Sequence, residues 1–148
     1  MRVKQIMTPD PASCTPETSV GEAATLMRDH DCGSIPVVEN TSSSRLVGTV
    51  TDRDLAIRVL ATGRGPDVLV REVMTPDPVT CVPEDEVEDL RQVMIERQVR
   101  RVPVVDTEGK LVGIVAQADV AREDGAASDR EVGRIVEAIS EPRSDLRE

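Results

Sequence analysis

The chain contains itself twice, and that repeat limits its possible folds more than any other feature. Met7-Thr8-Pro9-Asp10-Pro11 recurs unchanged as Met74-Thr75-Pro76-Asp77-Pro78, 67 positions later. The register persists: Cys14 matches Cys81, Pro16 matches Pro83, Glu17 matches Glu84, Val20 matches Val87 and Met27 matches Met94. Pro36-Val37-Val38 matches Pro103-Val104-Val105. The offset then falls to 65, because the loop Glu39–Arg45 is two residues longer than Asp106–Lys110. Leu46-Val47-Gly48 still matches Leu111-Val112-Gly113, and Asp54 matches Asp119. A gap confined to a polar turn is how a structural repeat behaves.

Each copy reads as the same string of elements. The MTPDP stretch cannot be helical throughout, since proline lacks an amide donor and biases its predecessor toward extended backbone. A short strand is expected near Ser13–Thr15, and near Thr80–Val82 in the copy. A helix follows. Ser19 and Glu22 have capping-box spacing, and Val20, Ala23, Ala24 and Met27 fall on one helical face. Val87, Leu90 and Met94 keep that stripe in the copy. Two β-branched runs then pair as a hairpin across a polar turn, at 35–38 with 46–51 and again at 102–105 with 111–115. A second helix starts near Asp52, and its copy near Gln117. The order per repeat is strand, helix, strand, strand, helix. The expected division is repeat one over residues 1–61, a linker over 62–70, repeat two over 71–124 and a tail over 125–148. Units this small bury a core poorly alone, so the expectation is an α+β fold in which the repeats pack about a pseudo-twofold axis with two equivalent clefts. In the tail, Ser128 and Glu131 form a capping box, and Val132, Ile135, Val136 and Ile139 make an apolar helical stripe. That stripe needs a partner, either the same chain or another subunit.

Composition narrows function. Phe, Tyr and Trp are absent, so the core is aliphatic and no aromatic platform exists to stack a base. The net charge of −10 opposes nucleic acid, whose binding draws on many cation–phosphate contacts, and opposes an electrostatic membrane anchor. No apolar run is long enough to span a bilayer, and the N-terminus lacks the apolar region of a secretory signal. The expected location is the cytoplasm, with no nucleic-acid or membrane partner. Cys14, Cys32 and Cys81 are odd in number and lack CxxC spacing, as expected of unpaired thiols. Cys14 and Cys81 are symmetry mates, so core packing and a paired redox switch are both open. His30 and Cys32 supply at most half a zinc site, so no metal is expected. No catalytic motif occurs, so the chain is not expected to be an enzyme.

Taken together, MTPDP, P-E-x-x-V, IPVV and LVGTVTDRDL resemble the CBS domain, a family whose members occur in tandem pairs. The likeness covers about residues 1–122. Gln98–Val105 with Leu111–Val115 looks similar to stand-alone actinobacterial CBS-pair proteins of the hypoxic-response type. The resemblance implies a regulatory module that binds an adenosine compound such as AMP, ADP, ATP or S-adenosylmethionine and assembles as a homodimer. The alternative is a ligand-free structural or protein-interaction module.

Within that resemblance, Gly48-Thr49-Val50-Thr51-Asp52-Arg53-Asp54 is similar to the element whose Thr and Asp hold a nucleotide's ribose and phosphate. A strand ending at Thr51 and a helix beginning there would present free amide groups to an anion. The same Thr51-x-x-Asp54 spacing is also that of a simple helix cap. The copy keeps Asp119 but has Ala116 where Thr51 stands, so the Thr51/Asp54 cleft is expected to be the better one. Arg100 and Arg101 precede the second PVV strand, where the family places cations that meet phosphates, and the guanidinium fork suits that task. The alternative is a pair of solvated charges. The first repeat has Gly33 and Ser34 there. Arg53 adds a further candidate cation. The base would lie against Val37 and Val38, or Val104 and Val105, residues that belong to the core in either case.

Overall fold

A computed structural model describes residues 1–123, so the expected tail helix around Ser128–Ile139 lies outside the described residues. Six strands and four helices follow in chain order: β1 (Thr8–Pro9), α1 (Val20–Asp29), β2 (Ser34–Val38), β3 (Leu46–Thr51), α2 (Asp52–Arg58), β4 (Thr75–Pro76), α3 (Val87–Arg97), β5 (Arg101–Val105), β6 (Leu111–Ala116) and α4 (Gln117–Glu123). Two three-stranded sheets result, ordered β1-β6-β5 and β2-β3-β4. The fold is the expected α+β type.

The two MTPDP segments cross over. β1 pairs antiparallel with β6 of the second repeat, Thr8 opposite Ile114 and Pro9 opposite Gly113. β4 pairs in the same way with β3 of the first repeat, Gly48 opposite Pro76 and Thr49 opposite Thr75. The chain accordingly divides into two compact units. Among the described residues one comprises Met1–Pro11, Val79–Glu108 and 112–123; the other comprises Ala12–Pro78 with Gly109–Leu111. They are called here the second-repeat and first-repeat units, after the helices and hairpin each contains.

The conserved register of the crossover is visible bond by bond. Val3 N–H donates to the Asp85 carbonyl and Val70 N–H to the Thr18 carbonyl, each at 2.8 Å. Lys4 N–H reaches the Pro83 carbonyl and Arg71 N–H the Pro16 carbonyl, each at 3.0 Å. Lys4 pairs with Glu84 at 3.3 Å, and Arg71 with Glu17 at 2.9 Å. The glycine of each LVG triplet makes the close approach possible. A Cβ on Gly48 would stand 2.8 Å from the Thr75 carbonyl oxygen, and one on Gly113 would stand 2.6 Å from Met7 Sδ. Left-handed backbone recurs in register as well, at Asp10 and Asp77, Asp31 and Gln98, Ser44 and Gly109.

Each unit has its own aliphatic core. In the first-repeat unit Val20, Ala23 and Met27 of α1 meet Ile35, Val37, Val50 and Val70. In the second-repeat unit Val3 joins Val87, Leu90, Met94, Val102, Val104, Val115 and Val120. Val3 and Val70, which are register mates, are both fully buried. Ala24, expected on the α1 apolar stripe, is exposed: the stripe is narrower than the sequence pattern, because Leu26 packs on its other edge. The strands expected near Cys14 and Cys81 are single parallel bridges, Cys14 to Val37 and Cys81 to Val104. The α1 capping box forms, with Glu22 N–H donating to Ser19 Oγ at 3.2 Å.

Candidate functional site

The sequence-identified residues gather at two equivalent corners, one per unit, where a hairpin strand hands over to a helix. In the first-repeat unit β3 ends at Thr51 and α2 begins. Asp52 N–H donates to the Gly33 carbonyl at 2.9 Å, which ties the helix start to the residue before β2. Thr51 and Asp54 satisfy one another: Thr51 N–H donates to Asp54 Oδ2 at 2.9 Å, and Asp54 N–H to Thr51 Oγ1 at 3.1 Å. The helix-cap geometry is therefore realised. Asp54 is buried, with Arg58 Nε 3.9 Å from its second oxygen. A carboxylate offers about four lone-pair sites, so this cap leaves acceptor capacity on Asp54. Arg53 is half-buried, and its amide donates to Asp52 Oδ1 at 2.8 Å.

In the second-repeat unit the same corner is built from Arg100, Arg101, Ala116, Gln117 and Asp119. Gln117 N–H donates to the Arg100 carbonyl at 2.7 Å, the counterpart of the Asp52–Gly33 bond. Ala116 N–H donates to Asp119 Oδ2 at 2.8 Å. No return bond forms, because alanine has no hydroxyl. Arg122 pairs with the other Asp119 oxygen at 2.5 Å. Arg100 Nε, Arg101 Nε and Gln117 Oε1 are buried without a hydrogen-bond partner among the described residues. Buried polar atoms in proteins are nearly always paired, so this corner holds donors whose acceptor is not supplied by the described chain. Thr51, Arg53 and Asp54 thus come together in one unit, and Arg100, Arg101 and Asp119 in the other.

Beside the first corner lies an open depression of about 440 Å³, lined by Met27, Arg28, Asp31, Cys32, Gly33 and Asp52. The sequence reading did not single out Asp31 or Asp52. The signal that finds them is the repeat itself, since their register mates are Gln98 and Gln117. Val37, Val38 and Val104, suggested as walls for a base, are buried in the cores.

Burial pushes the Cys14 and Cys81 thiols up to about 12, with the Asp85 carboxylate adding to the effect at Cys81. Reactive thiols shift the opposite way, because the thiolate is the nucleophile. No group of three or more His, Cys, Asp or Glu among the described residues could hold a metal ion. No helix among them is long and apolar enough to cross a membrane.

Paired strand–helix corners on a duplicated strand-helix-strand-strand-helix unit define a tandem-repeat module. The CBS domain model matches residues 3–61 and 70–125, and the chain belongs to that family. A CBS domain-containing protein of Bacillus subtilis, YhcV, is 44% identical over 119 residues, covering 80% of this chain and 82% of its own. Hypoxic response protein 1 of Mycobacterium tuberculosis is 38% identical over 132 residues, covering 84% of this chain and 88% of its own. Among solved structures, CBSX2 in complex with AMP superposes with a TM-score of 0.73 at 30% identity, covering 84% of this chain and 96% of that one. Hypoxic Response Protein I with two coordinated zinc ions superposes with a TM-score of 0.74 at 35% identity, covering 82% and 98%.

Proposed function

We infer that this CBS pair is a non-catalytic regulatory module that binds an adenosine nucleotide, AMP or ATP being the first choices, and works as a cytoplasmic homodimer. The observation that carries the reading is the pair of unpartnered buried Nε donors on Arg100 and Arg101, beside Gln117 Oε1. Guanidinium donors held this way match phosphate oxygens in geometry and charge. The AMP complex of CBSX2 supports the choice of ligand class. In this reading the phosphates meet Arg100 and Arg101 in the second-repeat unit, where Asp119 is the ribose acceptor; in the first-repeat unit Asp54, with Thr51 and Arg53 nearby, offers its spare acceptor capacity to a ribose of its own.

The test is calorimetry of AMP, ATP and adenosine on wild type and two variants. Arg101→Ala weakens AMP and ATP by at least about tenfold, the ratio that 1.4 kcal/mol represents, and leaves adenosine unchanged. Asp54→Ala weakens adenosine at its own corner, but it also removes the acceptor of the Thr51 amide, so the Arg101 split is the cleaner readout. Absence of binding by any adenosine compound at millimolar concentration would sink the reading. A ligand-free interaction module is the alternative, and the complete Thr51–Asp54 cap is what favours it, because that pair is already satisfied without a ligand. For the homodimer, the exposed large apolar side chains among the described residues are Met1, Ile57 (48%) and Leu60 (73%). Sedimentation of the wild type at one subunit mass would refute it.

A further inference from the structure

The two corners are built on the same backbone and carry opposite charge. Asp31, Gly33, Ser34 and Asp52 occupy the register positions of Gln98, Arg100, Arg101 and Gln117. The first set holds two negative charges and the second two positive. Arg53, opposite Ala118, returns one positive charge to the first corner. Of its other nearby cations, Arg28 is held by Asp29 at 3.1 Å and Arg58 faces Asp54. The backbone link is the same in both units, from the first helix amide to the carbonyl before the strand, so the difference lies in side chains alone. The Asp52 carboxylate takes the space that a side chain at Gly33 would need: a Cβ at this position would stand 2.6 Å from Asp52 Oδ2. Asp31 and Asp52 instead face the 440 Å³ depression.

We propose that Asp52, seconded by Asp31, is a specificity residue that refuses phosphate at the first-repeat corner, so that the chain holds one phosphorylated nucleotide, at Arg100 and Arg101. The first-repeat corner is left to uncharged adenosine-type compounds. This rests on the nucleotide reading above and adds which corner takes charge, and why. Asp31 and Asp52 are exposed, and Coulomb repulsion between a carboxylate and a phosphate near a protein surface still exceeds that in bulk water several-fold, whereas Gln117 at the equivalent place carries no charge.

The experiment exchanges the two natural residues. Wild type, Asp52→Gln and Gln117→Asp are titrated with AMP and with adenosine by calorimetry, with circular dichroism confirming the fold of each. Wild type binds one AMP per chain. Asp52→Gln gains a second AMP, or tightens it by at least about tenfold, equivalent to 1.4 kcal/mol, while adenosine moves less than about twofold. Gln117→Asp loses the first AMP and keeps adenosine. Two AMP per wild-type chain with equal affinity overturns the proposal, as does a single AMP on both wild type and Asp52→Gln. If no adenosine compound binds any of the three folded proteins, the nucleotide reading falls and this inference falls with it. If adenosine binds and the charge exchange moves nothing, only this inference falls.

Discussion

Val3→Ala should loosen the second repeat and spare the first, although Val3 stands at the head of the first repeat in sequence. Val3 is fully buried among Val87, Leu90, Met94, Val102 and Val115. The substitution removes two methyl groups, about 0.8 kcal/mol each by transfer, and leaves a cavity that an all-aliphatic core fills only in part. A loss of about 2–3 kcal/mol follows, a large fraction of a typical stability of about 5–15 kcal/mol. The mirror variant, Val70→Ala, removes the same groups from the other core, beside Val20, Ile35 and Val50. The chain has no aromatic residue, so intrinsic fluorescence cannot follow unfolding. Urea denaturation by far-ultraviolet circular dichroism gives the total loss. Native-state hydrogen exchange locates it, since local opening is resolved residue by residue. In Val3→Ala the amides of Leu90, Met94 and Val104 lose protection first; in Val70→Ala those of Ala23, Met27 and Val37 do. If Val3→Ala instead deprotects α1 and β2 while α3 and β5 stay protected, the crossover of the MTPDP segments is wrong.

Three further outcomes follow from the geometry. Gly48→Ala should cost about 1–3 kcal/mol by overpacking, because its new methyl meets the Thr75 carbonyl; Gly113→Ala should cost less, because its nearest obstacle is the flexible Met7 thioether. Thermal melts compare the two, and equal costs would refute the distinction. Ala116→Thr should stabilise by about 0.5–1 kcal/mol, supplying the hydroxyl that the Asp119 amide lacks and completing a cap like that of Thr51 and Asp54; a lower melting temperature would count against it. Stability should fall as pH rises above about 9. The folded Cys14 and Cys81 hold their protons to about 12, whereas in the unfolded chain they ionise near the usual thiol range. The unfolded state therefore binds fewer protons above pH 9, and each thiol contributes a loss of up to about 1.4 kcal/mol per pH unit in that window. Urea midpoints at pH 7 and pH 10 check this, and a Cys14→Ala, Cys81→Ala double variant should show a smaller drop between them.

The hairpins, the α1 cap and the two cores were legible in the sequence because each rests on local information. The β-branched runs 35–38 and 46–51 sit either side of a polar turn, and Ser19 and Glu22 lie three apart. The crossover was not legible, for a definite reason. Val3 and Val70 are identical, the two MTPDP segments are identical, and the glycines that receive them, Gly48 and Gly113, sit in matching LVG triplets. Either segment fits either sheet edge equally well by local chemistry. Which one pairs with which is decided by how the intervening chain can run, and periodicity carries no trace of that. Ala24 shows a smaller version of the limit: a helical stripe marks a face, and only packing sets its width.

The corners show the converse, a place where polar residues break the repeat. At many core positions the two copies agree, Val37 with Val104, Met27 with Met94, Cys14 with Cys81, and where they differ, as Ile35 with Val102 or Ala23 with Leu90, both residues are apolar. At the corners the backbone bonds are retained while the side chains diverge from Gly33, Ser34 and Asp52 to Arg100, Arg101 and Gln117. A structural demand would act equally on both copies, since the backbone they support is the same. Among the described residues these side chains border an open depression at Gly33 and Asp52 in one unit and leave buried donors unpaired in the other, so the shared backbone does not account for the divergence. The same reasoning separates Thr51 from Arg101 as markers. Thr51 and Asp54 satisfy each other, so their presence is accounted for by the helix they cap and says little about a ligand. Arg100 and Arg101 bring Nε donors that no described residue meets, so the helix cap does not account for them, and they mark the corner more sharply than Thr51 does.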